Sequence, residues 1–312
     1  MARKIPKTLV SRVLSLITEE DSMAAENPFL KIRTVGLLYW SVYGCILVGF
    51  VLIIVDRVLP MGKLTMENIA GGLLYLWLYY WIYSKTKQGN IDIRLFLQRT
   101  SNTKWLHLIG LVLCLTLFSI CSSSLIANLL IYVRPSLLKL NIASHDHKQS
   151  VFNWVLDILT TIVLAPIVEE ILFRGILLSR WSSKWGMRKA ALISALAFAI
   201  PHLSDEFGAF LFALCMTILY LRTQTLLIPI AAHALNNTIA MAITFWRTHD
   251  ASARDTINHF LSITWVETLY LAATSLILVT YICRHWPKKE ALPPYILQMN
   301  ERSVSIEIPP AG

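Results

Sequence analysis

The chain has 312 residues, of which 55% are hydrophobic and only 15% charged, and its mean hydropathy is +0.57; soluble domains carry about 25% charged residues. That balance excludes a soluble globular protein and indicates an integral membrane protein with the lipid bilayer as its surroundings. The net charge of +9 does not call for nucleic acid as a partner, because Lys and Arg concentrated in cytoplasmic loops and drawn to anionic headgroups account for it.

In chain order, residues 1–34 read as a cytoplasmic segment. Within it Leu9, Val10, Val13, Leu14 and Ile17 beside Arg12 fit an interfacial amphipathic helix or a solvated pre-helix over 8–18. No secretory signal is visible, since the first apolar run begins near Val35 and is too long for a signal core. Apolar runs then recur at 35–55, 69–83, 105–133, 151–173, 190–203, 207–221, 226–245 and 265–283, which makes eight spans, or seven if one of the weakly bounded second, fifth and sixth runs drops out. With both termini in the cytoplasm, 20 of the 28 Lys and Arg fall inside, seven outside, and Arg174 within the core. A plasma membrane is the default compartment.

The ionisable groups divide the chain. Residues 35–150, holding the first three spans, contain few of them and read as a scaffold; residues 151–250, holding spans four to seven, collect nearly all the intramembrane polar chemistry. An outer loop and the eighth span follow over 251–283, and a proline-rich tail over 284–312 reads as disordered. The five cysteines lie in or at the edge of apolar runs without metal-type spacing, as small buried hydrophobes. His145, Asp146 and His147 look superficially metal-binding but fit an exposed outer loop, and Asn153 with Asp157 fits helix packing near the end of span four.

Span four holds three charges, Glu169, Glu170 and Arg174, in an otherwise apolar run. Each costs about 2.5 to 3.5 kcal/mol at a membrane helix centre, so such groups face a protein-lined site and have partners. Glu170 and Arg174 are four apart in the favourable acid-first order, whereas Glu169 points about 100° away and keeps a reactive carboxylate. Span five adds Phe198 and His202, and span seven His233 and Asn237, each pair again four apart on one helix face. Counted from the loops, these groups lie at a similar depth, roughly 12 to 20 Å from the cytoplasmic face at about 1.5 Å per residue. Pro166, Pro201 and Pro229 precede them and predict helix irregularities beside a polar pocket.

Glu169-Glu170-x-x-x-Arg174, Phe198-x-x-x-His202 and His233-x-x-x-Asn237, in that order, resemble the three motifs of the CAAX prenyl protease and bacteriocin-processing (CPBP or Abi) family of intramembrane proteases. The resemblance spans about residues 151–246. It implies an all-α polytopic membrane fold of eight helices with an intramembrane cavity open to the cytoplasm, and hydrolysis of a peptide bond within the membrane; it does not extend to the substrate, for which a membrane protein or lipidated peptide is the expectation. On this reading Glu169 activates water, His202 helps hold it, and His233 with Asn237 stabilises the oxyanion, while Glu170 and Arg174 form a structural pair. Metal-free catalysis stands beside a zinc mechanism, for which Glu169, His202 and His233 would supply a His₂Glu set.

Two other classes compete. A non-catalytic scaffold or immunity-type protein would use the same fold to bind a sensor or peptide, yet has no need to bury six polar groups. A proton-coupled transporter would show matching helix breaks in both halves, and the first half has no matching polar set.

Overall fold

The structure, a computed structural model, describes residues 27–59, 61–98, 104–133, 150–202, 206–249 and 264–307. The amphipathic segment expected at 8–18 and the His145-Asp146-His147 loop lie outside these residues. Among the described residues there are helices and no strands: α1 (Val35–Val58), α2 (Lys63–Gly89), α3 (Trp105–Val133), α4 (Val151–Trp185), α5 (Met187–Ala199), α6 (Glu206–Thr223), α7 (Leu227–His249), α8 (Thr264–His285) and α9 (Pro294–Glu307). The protein is an all-α polytopic membrane protein, and each of the eight apolar runs forms a helix, α1 to α8.

Five of these, α1, α3, α4, α7 and α8, are long and apolar enough to cross a bilayer. At about 1.5 Å per residue, α5 is about 20 Å long against a hydrocarbon core of about 30 Å. The lipid-facing character is visible on α1, where Leu38, Tyr39, Ile46 and Phe50 are 61–72% exposed, a face that acyl chains rather than water would cover.

Helix α4 is central: it packs against α2 on one side, α7 on another, and α5 and α6 beyond. It starts where Ser150 accepts a hydrogen bond from the Asn153 N–H and stops at Gly186, whose φ of 79° suits glycine. Asn153 is buried and accepts from Thr65 Oγ1 at 2.9 Å, so α2 and α4 are joined there by packing as expected.

One end of the bundle is closed by an aromatic cluster in which Tyr295 of α9 meets Phe29 and Phe96 at ring distances of 5.0 and 4.8 Å. This corrects the expectation of a disordered tail for residues 284–307. Proline density suggested disorder, but Pro294 stands at the start of a helix, where its missing N–H costs nothing, and Tyr295 and Ile296 behind it are buried. The Tyr295 hydroxyl also accepts from the Asp92 N–H at 3.0 Å.

Candidate active site

Helix α4 is not α-helical throughout. Two π segments, Ile158–Leu164 and Ile171–Leu177, flank the α-helical turn Ala165–Glu170 that carries both glutamates. Such widened turns recur at functional sites, and here the register explains a contact. The Ala165 N–H bonds to Thr160 O, five residues back. The next donor in that register would be residue 166, which is proline and has no N–H. The Thr161 carbonyl is therefore left for another donor, and Asn237 Nδ2 reaches it from α7 at 2.8 Å.

The two carboxylates share one imidazole. Glu170 Oε1 accepts from Arg174 Nη1 and from His233 Nδ1, both at 3.0 Å. The expected Glu170–Arg174 pair is thus present, and side-chain exposures of 1% for Arg174 and 0% for Glu170 place it fully inside the protein. Arg174 is further fixed by donating to Ala213 O at 3.2 Å and by lying 4.7 Å over the Phe198 ring. The other nitrogen of His233, Nε2, faces Glu169 Oε2 at 3.8 Å, too far for a direct hydrogen bond. Glu169 Oε1 is held differently: the Tyr75 hydroxyl of α2 donates to it at 2.6 Å.

Phe198 is the hub of the aromatic packing around these groups. Its ring contacts Phe173, His202, Phe212 and His233 at centroid distances of 5.2, 4.7, 6.0 and 5.9 Å. Arg174, Phe198 and His233 therefore form a single buried unit with both glutamates.

His202 and Asn237 stand at the margin of that unit. Helix α5 ends at Ala199, and Pro201 follows within two residues, so His202 lies just past the helix end. It stacks on Phe198 with Nδ1 at 2.7 Å from the Phe198 carbonyl. Since a carbonyl only accepts, Nδ1 is the protonated nitrogen. Asn237 has one amide hydrogen committed to Thr161. Among the described residues no three His, Cys, Asp or Glu side chains converge as a preformed metal site.

The sequence reading did not find Tyr75, Thr161 or the second bond of Glu170. Tyr75 sits in an aromatic run with Tyr79, Tyr80 and Tyr83 that resembles ordinary membrane-interface anchors, and nothing in that run singles it out.

Residues 151–239 match the family described as type II CAAX prenyl endopeptidase Rce1-like. Over 100 residues the chain is 34% identical to an "Uncharacterized 24.3 kDa protein" of Escherichia coli, covering 30% of this chain and 46% of that one. Over 88 residues it is 34% identical to the "Putative membrane peptidase YdiL" of Bacillus subtilis (strain 168), covering 28% of this chain and 36% of the relative. The chain thus spans less than half the length of these curated relatives. No solved structure matches it.

Proposed function

We propose, from the family match of residues 151–239 and the geometry of Glu169, that this protein is an intramembrane endopeptidase. Its substrate on this reading is a membrane protein or lipidated peptide. The observation that carries the reading is the split environment of Glu169: one oxygen anchored by Tyr75, the other facing His233 Nε2 at 3.8 Å. A water lying to one side of that gap can reach both atoms at about 2.8 Å.

In the proposed reaction Glu169 takes a proton from this water as its oxygen bonds to the scissile carbonyl carbon. The carbonyl oxygen becomes an oxyanion. Because His233 Nδ1 donates to Glu170, the nitrogen free to meet that oxyanion is Nε2, which serves as a donor when the ring carries its second proton. In that state Glu169, Glu170, Arg174 and His233 sum to zero charge. Asn237 contributes its remaining amide hydrogen, and His202 Nε2 helps hold the water. The C–N bond then breaks as Glu169 passes its proton to the leaving nitrogen, so one water is consumed and a carboxylate and an amine are released.

The working arrangement is a plasma-membrane protein with both termini and the cavity mouth on the cytoplasmic side. The test is cleavage by purified protein of a quenched fluorescent peptide ending in a prenylated Cys-aliphatic-aliphatic-X sequence, its unprenylated twin, and a detergent-extracted membrane-protein pool scored for new amino termini. Glu169→Gln should lose at least 100-fold in kcat, within the range attributed to general-base catalysis of about 10²- to 10⁴-fold. A zinc chelator should leave the wild-type rate unchanged. No cleavage by the wild type would favour a non-catalytic membrane scaffold, and equal cleavage by wild type and Glu169→Gln would remove Glu169 as the base.

A further inference from the structure

The contact between Tyr75 and Glu169 ties the proposed base to a helix that the family match does not include, since Tyr75 belongs to α2 and the matched segment begins at residue 151. We propose that Tyr75 is a positioning residue for the reaction, holding one oxygen of Glu169 so that the other stays open to water; this rests on the peptidase reading above.

Three observations support it. The donor and acceptor are 2.6 Å apart, in the short range of hydrogen bonds made to an ionised oxygen. The helices pack against each other one turn before Tyr75: a Cβ added to Gly71 or Gly72 of α2 would lie 3.7 or 3.5 Å from the Thr160 side chain on the first π segment. One turn further along α2, the stiff phenol bridges the remaining distance to the carboxylate.

The third observation concerns what Glu169 would do without the tether. His233 Nε2 lies 3.8 Å from Oε2, and a glutamate has three side-chain torsions by which to close that distance. A carboxylate released from Tyr75 can swing onto His233 and form a direct ion pair, which closes the gap where the water would sit and commits both groups to one another. The Tyr75 bond opposes that collapse. The phenol touches no substrate in this scheme; it acts through Glu169.

The experiment uses the full-length protein in lipid nanodiscs and the peptide or membrane-protein pool that the wild type cleaves. Tyr75→Phe removes only the hydroxyl. The expected result is a 10- to 100-fold loss in kcat with KM and the thermal unfolding midpoint unchanged. Ring-fluorinated tyrosines incorporated at position 75 alter the acidity of the phenol while keeping its shape, and kcat should vary in step with that acidity, a response that a packing role would not give. An unchanged kcat in Tyr75→Phe would overturn the inference. So would a rise in KM alone, or a loss matching the loss of folded protein. These outcomes would leave the peptidase reading standing, whereas failure of the wild type to cleave either substrate would remove both.

Discussion

Replacing Arg174 by methionine tests the central pair most directly. The guanidinium and Glu170 are 1% and 0% exposed and 3.0 Å apart. Arg174→Met would therefore strand a buried carboxylate, a change that costs about 3 to 5 kcal/mol in well-defined cases. Two features bear on where in that range it falls. His233 still donates to Glu170 at 3.0 Å, which softens the loss, while the guanidinium contact with Phe198 at 4.7 Å disappears and adds about 0.5 to 2 kcal/mol. Ala213 O is not orphaned, because Thr217 Oγ1 also donates to it at 2.9 Å. The expected cost is thus about 3 to 5 kcal/mol, a large share of a total stability of about 5 to 15 kcal/mol. It is read from the denaturant unfolding midpoint of the protein in detergent micelles. The double variant Glu170→Gln with Arg174→Met removes both charges and keeps an acceptor for His233, so it should recover most of the loss. A cost below about 1 kcal/mol for the single variant, or a double variant no more stable than the single, would show that Arg174 does not offset a buried charge on Glu170.

Two further substitutions probe how the helices around α4 are held. At Gly44 of α1 an added Cβ would lie 2.5 Å from Trp77, which cannot easily yield because it stacks on Trp40 at 4.3 Å and each indole N–H bonds the other residue's carbonyl. Gly44→Ala should therefore destabilise by about 1 to 3 kcal/mol, seen as a lowered unfolding midpoint, while Gly49→Ala, with no neighbour within 4 Å, should not. Asn237→Leu should cost about 1 to 3 kcal/mol by stranding the Thr161 carbonyl, and adding Pro166→Ala, which restores a backbone donor, should recover part of that; an absence of recovery would show that the π register is not the cause.

Much of the membrane architecture and part of the site were legible because they depend on local rules. Apolar runs long enough to be helices showed up as such, and the four-residue spacing of Glu170 and Arg174 reads directly as a pair on one helix face. What was not legible depends on backbone register or distant contacts. Pro166 signals an irregularity in this run, but hydrophobic pattern carries no trace of a π turn, so the displacement of Thr161 and its bond to Asn237 were not legible. The bond from Tyr75 to Glu169 joins residues 94 positions apart. His202 reads as a helical residue because its neighbours are apolar, yet α5 ends at Ala199. The tail was misjudged because prolines were weighed without the buried Tyr295 and Ile296 beside them.

The six polar residues expected to form one site divide by what they touch. Glu170 and Arg174 are joined through Oε1 and Nη1, and Arg174 ties α4 to α6 through Ala213; Asn237 satisfies a carbonyl that Pro166 and the π register leave open, tying α4 to α7. These contacts are stabilising whatever the reaction, and none of them requires Glu169. Glu169 is different: its neighbours are a phenol from α2 and an imidazole nitrogen 3.8 Å away, beyond direct hydrogen-bond reach. A carboxylate kept inside a membrane protein with one oxygen fixed and the other 3.8 Å from the nearest imidazole nitrogen is costly to maintain. Glu169 is therefore the residue of the six for which a structural role is the weakest explanation and a reactive one the strongest.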